Sequence, residues 1–402
     1  MENVVQKKSK NTSKMIVKIL IAFVVGSLLG RLLILSDISI LLLRGMITFS
    51  DLISQFLSFF VPIVVLGLVM PGIIELGGKA SKMLLTAIIL SYASLLTIGF
   101  ISFIFGYSFV PSIFSSMVIG GNAIEMTNYS GFLPKLLSPF FDVVGAIVLA
   151  FAFGLAAAKT GSEIFTKAAK EIEACIYLIL NKFLIPILPL YIGCIFAKLS
   201  ATGELMANLN NFAMIIFVIF LISNIYTLLI ISLGAVLTKR SIIAVLKAYV
   251  STYLVAFGTQ SSKATIPVSL DSAEKINISK EVREFAVPLL ATTHLIGSMV
   301  TQTIGSIAIY YIFTGEMLSL PLMASYIFVL ATILLAAPGI PGGEPVATKP
   351  LLVSYLGFPA GAAETMFMLG VANDSFATAI NVTGDSPIVM ILDSLYKKWF
   401  KK

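Results

Sequence analysis

Asn373–Asp385 reads NDSFATAINVTGD. AAETMFMLGVA precedes it and SPIVMILDSLY follows, so these polar residues lie inside a hydrophobic segment. On an α-helix Asp374, Thr378, Asn381 and Asp385 follow one another at intervals of 4, 3 and 4 residues. At 3.6 residues per turn all four fall within ~60° of one another, one stripe on one face. A carboxylate at mid-bilayer costs ~2.5–3.5 kcal/mol on insertion scales. Two on one stripe point to an interior site that binds something. The competing reading is a stripe that only glues helices together, but such glue is usually Ser, Thr, Asn or Gln rather than two Asp.

Composition sets the solvent. The 402 residues are 58% hydrophobic and 12% charged, with a mean hydropathy of +1.01. This is a polytopic membrane protein, not a soluble enzyme. With roughly 20 apolar residues per span, there is room for about eight spans plus shorter re-entrant pieces. A net charge of +7 reports cytoplasmic Lys and Arg facing anionic lipid, not a nucleic-acid partner. Cys175 and Cys194 both lie in apolar stretches and are expected as buried small hydrophobes. A single histidine excludes His-rich metal sites and HExxH proteases, and no cofactor is expected beyond a coupling ion. The segment 1–14, MENVVQKKSKNTSK, is basic and lacks a small-residue cleavage signal after it. It reads as the flank of a retained first span.

Apolar runs occupy about 15–35, 40–74, 83–109, 138–158, 172–198, 211–238, 284–313 and 360–396. Two more are interrupted, 241–273 by GTQSSKAT and 320–357 by PGIPGGEP. Interrupted apolar segments are re-entrant hairpins or broken helices, tolerated only where protein or a cavity satisfies their backbone. Lys7, Lys8, Lys10 and Lys14 place the N-terminus in the cytoplasm. Alternating spans then put Lys79, Lys82, Lys159, Lys167, Lys170, Lys239 and Arg240 inside. Hairpins opening to opposite faces also keep Lys275, Lys280, Arg283 and the tail Lys397, Lys398, Lys401 and Lys402 inside. Arg31, Arg44, Lys135 and Lys198 are the exceptions. Each hairpin precedes a polar-interrupted helix, a weak repeat of the kind that meets at the midplane and holds a substrate there.

These residues carry a family resemblance. Asn381-Val382-Thr383-Gly384-Asp385 resembles the last-helix motif of the dicarboxylate/amino acid:cation symporters, the glutamate-transporter family. Ser261–Val268, SSKATIPV, is similar to the tip of that family's first hairpin. Gly339–Gly343, GIPGG, is similar to the tip of its second. Phe60–Val65, FVPIVV, resembles a Pro-containing run of its second helix. Members of the family are themselves among the transporters known for inverted repeats. The resemblance implies an all-α fold of eight transmembrane helices and two re-entrant helical hairpins, assembled as a homotrimer in the cytoplasmic membrane. Helices 1–2 (15–75) and 4–5 (110–200) would form a scaffold. Helix 3 (76–109) and residues 201–402 would form a transport domain that moves as an elevator.

The resemblance also implies roles. Asp374 would pair with a substrate ammonium, which favours an amino acid over a plain dicarboxylate. Thr378 and Asn381 would bond its carboxylate and main chain. Ser261, Ser262 and Gly342 of the hairpin tips would complete the cradle, with ordinary turn chemistry the competing reading of the serines. Asn381 and Asp385 would supply oxygen to a Na⁺.

Departures from the family pattern matter as much. The arginine that the family uses for a side-chain carboxylate is Ala377 here, and its alternative position is Gln260. Neither makes a bidentate clamp. Lys263 is the remaining candidate point charge. Glu344 is expected to face solvent at the outer mouth, with a pairing to Lys263 as the alternative. In place of the family's Asn-Met-Asp-Gly-Thr stands His294-Leu295-Ile296-Gly297-Ser298. Ile296 removes a carboxylate, and His294 would either carry a proton, alone or with Asp385, or stay neutral and hydrogen-bond between helices.

The expected activity is therefore uptake of a neutral or acidic amino acid coupled to Na⁺, H⁺ or both. A dicarboxylate symporter is the alternative and a channel a more distant one. No enzyme is expected. Asp374 and Asp385 are roughly 16 Å apart along a helix, too far for an aspartyl dyad.

Overall fold

The computed structural model describes residues 18, 21–22, 24–79, 82–115, 130–134, 136–137, 143–179, 182–183, 185–335 and 343–400. The basic segment 1–14, Lys135 and the tip residues 339–342, with Gly342, lie outside them. Every regular element among the described residues is a helix. In order they are α1 (Val24–Leu33), α2 (Asp37–Lys79), α3 (Lys82–Phe114), α4 (Val143–Thr160), α5 (Glu163–Ile179), α6 (Ile185–Ala201) and α7 (Glu204–Leu237). The first hairpin follows as α8 (Ile242–Thr259) and α9 (Ser262–Lys275). Next come α10 (Lys280–Thr293) and α11 (Ile296–Thr314), one span interrupted at two residues. The second hairpin is α12 (Leu320–Leu334) and α13 (Gly343–Ser354), and α14 (Ala360–Gly384) and α15 (Ser386–Phe400) end the fold.

Among the described residues, six stretches are long and apolar enough to cross a membrane. Two of them, Lys280–Thr314 and Ala362–Trp399, are almost wholly enclosed by protein. The others turn apolar side chains outward, such as Leu42 of α2, Ile104 of α3, Leu229 of α7 and Leu254 of α8. The polar stripe of α14 therefore faces protein rather than hydrocarbon, as its desolvation cost requires.

Two boundaries differ from the hydropathy reading. The run at 40–74 belongs to a helix of 43 residues, roughly 65 Å long at 1.5 Å per residue. The run at 172–198 is split into α5 and α6. Pro186, in the first turn of α6, favours a helix start there, where its missing N–H leaves no bond unmade. Cys175 is exposed on α5, so only Cys194 is the buried hydrophobe expected of both. An apolar neighbourhood in sequence does not say which way one side chain of a helix points.

The helices pack in two groups. α2 lies against α4, α5 and α6, and α1 joins them through small residues. A Cβ on Gly26 or Gly30 would run into the α6 backbone at Gly193 and Ala197, the close approach that small residues four apart permit between membrane helices. The Ser200 hydroxyl donates to the Ser27 carbonyl at 2.6 Å across the same contact. The second group is α3 and α7–α15, cored by Met299, Ile304 and Ile307 of α11 against α3, α12 and α14.

One ionic cluster ties the ends of the second group. The Asp393 carboxylate of α15 is fully buried. It accepts from Arg240 at 2.5 Å, from the Ser279 N–H at 2.9 Å and from Lys397 at 2.7 Å. Arg240 also donates to the Ile276 carbonyl. The entry and exit of the first hairpin, the start of α10 and the end of α15 thus share one end of the bundle. At the other end the Tyr310 and Phe358 rings lie 5.5 Å apart, joining the end of α11 to the start of α14. The second hairpin hangs from that end, so the two hairpins open to opposite ends.

Asp393→Ala would leave Arg240 with no carboxylate in a mostly buried position. The expected loss is about 3 kcal/mol, read as a lower thermal midpoint of the detergent-solubilised protein.

Candidate functional site

The tip of the first hairpin is built by capping. Gln260 ends α8 in a left-handed conformation, with φ 48°. Ser261 then starts α9, its hydroxyl accepting the Ala264 N–H at 3.3 Å. The Ser261 side chain thus serves the turn in this conformation, and Ser262 is buried behind it. Gln260 reaches across to α14, its amide donating to the Ser375 hydroxyl at 2.7 Å. Next to Ser375, the half-buried Asp374 accepts from the Thr378 hydroxyl at 3.3 Å. The tip and the upper part of the stripe therefore meet. Lys263 is exposed on the first turn of α9.

The break between α10 and α11 sits at His294 (φ −127°, ψ 81°) and Leu295 (φ −104°, ψ 62°). A helix that restarts inside a membrane protein exposes N–H groups that no water satisfies. Asn381 of α14 satisfies them. Its side-chain oxygen accepts from the Gly297 N–H at 2.7 Å and the Ser298 N–H at 3.4 Å, and its amide donates to the Ser298 hydroxyl at 3.3 Å. Asn381 is an N-cap supplied from another helix. Its oxygen, expected as a sodium ligand, is engaged by backbone in this conformation. The approach needs glycine at 297, because a Cβ there would stand 2.6 Å from the Ala377 carbonyl oxygen.

The same break aims His294 at the lower part of the stripe. Its Nδ1 lies 3.0 Å from Asp385 Oδ1 and its Nε2 lies 2.9 Å from Ser94 Oγ of α3, and the ring is buried. With Asp385 ionised, Nδ1–H donates to the carboxylate and Nε2 accepts the Ser94 hydroxyl. With a second proton on the ring, the serine rotates to accept. Both protonation states of the imidazole keep two partners.

The second hairpin corrects one expectation. Glu344 does not face solvent or pair with Lys263. It is buried, its Oε1 accepting the Gln302 amide of α11 at 2.7 Å and the Thr348 hydroxyl at 3.3 Å. The first turn of α13 folds it inward, and the amide donor makes the burial tolerable. Asn373 was also missed as a contact residue. It is buried and donates to the Thr301 hydroxyl at 2.7 Å. It stands one residue off the stripe, roughly 100° around the helix, so it turns toward α11. Gln302 Oε1 and Asn373 Oδ1 have no hydrogen-bond partner among the described residues.

Residues 15–395 match the sodium:dicarboxylate symporter family. The chain belongs to that family. Similar curated proteins include the serine/threonine transporters SstT of Acinetobacter baumannii strains AYE and ATCC 17978. Each is 27% identical over 387 residues, covering 92% of this chain and 94% of its own length. The protein is thus a multi-pass membrane protein of a symporter family. The break between α10 and α11 bonds the polar stripe of α14 at Asn381 and Asp385, and the first hairpin tip bonds Ser375 beside it.

In this symporter Gly297→Ala is expected to force α11 away from α14, loosening the Asn381 cap. The overpacking should cost about 1–3 kcal/mol, measured as a fall in thermal midpoint. Gly305→Ala is the comparison at another tight site on the same helix, where the neighbours are the flexible Met366 and Leu369 side chains and the fall should be smaller.

Proposed function

We propose that this symporter imports a small neutral amino acid, with hydroxylated side chains such as serine and threonine first, driven by a cation gradient across the plasma membrane. The observation that carries the reading is Asp374, a half-buried carboxylate beside Thr378 and the first hairpin tip, with no guanidinium near it. The chain has four arginines. Arg240 and Arg283 are bound at the end that holds Asp393, and Arg44 bonds the Ser130 carbonyl. Arg31 is exposed beyond α1's packing face. A substrate ammonium has a partner in Asp374, whereas a second substrate carboxylate has no fork to meet it. The name of the serine/threonine relatives points the same way. An acidic amino acid or a dicarboxylate is the second reading, and it would depend on Lys263.

The coupling ion we assign first to a proton. His294 and Asp385 face each other where the resemblance places sodium-binding residues, and either protonation state of the imidazole keeps two hydrogen-bond partners, Asp385 and Ser94. Sodium at Asn381 and Asp385 is the second reading. It would require both side chains to leave their present partners. The wider architecture belongs to the same proposal: eight spans, a homotrimer, both termini in the cytoplasm, and a moving unit of α3 and α7–α15 against a static unit of α1, α2 and α4–α6. The division in packing supports it.

Counterflow in proteoliposomes against a panel of serine, threonine, alanine, aspartate, glutamate and succinate tests the substrate. Serine or threonine should exchange best. Asp374→Asn should weaken uptake by roughly 30-fold or more, the loss of one partner of a buried charge pair. Undiminished uptake by that variant removes the ammonium assignment, and preferential exchange of succinate removes the amino acid.

An imposed pH gradient, inside alkaline, should drive uphill uptake in sodium-free buffer, and His294→Ala should abolish the drive while leaving counterflow. Accumulation that follows only a sodium gradient, and ignores that mutation, eliminates the proton role.

A further inference from the structure

Away from the stripe, one charged cluster lies where the two helix groups touch. Lys349 of α13 is buried at 2% side-chain exposure. Its ammonium donates to both oxygens of Glu364 of α14, at 2.9 and 2.8 Å. It also donates to the Ser54 hydroxyl of α2 at 2.9 Å and to the Tyr191 hydroxyl of α6. Each hydroxyl passes the bond on. Ser54 donates to Glu364 Oε1 at 3.3 Å, and Tyr191 donates to Glu364 Oε2 at 3.1 Å. The rings of Tyr191 and Phe367 flank the ammonium at 5.2 and 5.4 Å. Asp51 of α2 lies within electrostatic reach of both charges of the pair.

The division of labour in this cluster is specific. The ion pair lies wholly within one group, on α13 and α14. Ser54 and Tyr191 belong to the other group, and they contribute only neutral hydroxyls. The surrounding contact is apolar, with Ile53, Phe60 and Val64 of α2 and Ile195 of α6 against Phe367 of α14. Sliding one group along the other leaves the ion pair intact. It strips away the two hydroxyls and drags the charges past Phe60 and Val64. Partly satisfied charges in such surroundings are strongly unfavourable, so this position is held.

We propose that Ser54 and Tyr191 form a latch on the Lys349–Glu364 pair, and that its release limits how fast the symporter exchanges between its two sides. The four residues are positioning residues and touch no substrate in this reading. The proposal rests on the moving-unit reading given above.

The double variant Ser54→Ala, Tyr191→Phe removes the two hydroxyls. It keeps the ion pair and the aromatic packing of residue 191 on Phe367, whose rings are 5.7 Å apart. In proteoliposomes its maximal serine counterflow rate should rise roughly tenfold, as expected for losing hydrogen bonds to charged groups. Its half-saturating serine concentration should not change. A general loosening of the fold would lower the rate and raise that concentration. A second readout needs no substrate. Cysteines placed at facing positions on α2 and α13, in a background with Cys175 and Cys194 replaced, should cross-link less completely in the double variant than with Ser54 and Tyr191 present. An unchanged or slower rate, with unchanged cross-linking, overturns the latch. If the wild-type protein exchanges no amino acid at all, the transport reading fails while the cross-linking comparison still decides the latch.

Discussion

The structure depends on one requirement: a helix broken inside a membrane protein must have its loose backbone N–H groups satisfied by protein. In this symporter Asn381 does so, reaching from α14 to cap the start of α11. Much else follows from that contact. It fixes the spacing of the two enclosed helices, which is why residue 297 has no side chain. It sets the turn at His294 and Leu295 that swings the imidazole toward Asp385 and Ser94. The ion-coupling chemistry proposed for this chain is thus built on a structural solution to backbone desolvation.

The buried charges are handled in three ways, and the differences track their proposed roles. Asp393 is saturated by two cations and a backbone N–H, as suits a permanent brace between helix ends. Lys349 and Glu364 are saturated too, but half of their partners are neutral hydroxyls from the other helix group, so the saturation depends on position. Asp374 is half-buried beside a threonine hydroxyl and a hairpin tip, as suits a carboxylate that meets a substrate cation. A charge placed in low dielectric is costly unless paired. Where its partners come from then decides whether it braces, latches or binds.

Parts of this were legible in the chain. The periodic stripe of α14 and the interruptions of the two hairpins depend on local pattern, and local pattern is what hydropathy and spacing report. Asn373, Gln302 and Lys349 were not legible. Each is an ordinary polar residue in an apolar segment, and its meaning lies in which other helix it faces. Glu344 was misread for the same reason. Beside Gly342, Gly343 and Pro345 it looks like a solvent-exposed turn residue, and only the packing of α13 on α11 turns it inward.

The chain by itself determined that the protein spans a membrane, where its two hairpins are interrupted and that the polar stripe of α14 must be enclosed, because the energetics of transfer from water to hydrocarbon act residue by residue. Only the tertiary structure decided which enclosed groups pair with which. Asn381 with the α11 backbone, His294 with Asp385 and Lys349 with Ser54 and Tyr191 join residues 83 to 295 positions apart. A hydrogen bond is made in space, and no spacing along the sequence encodes the helix that will stand opposite.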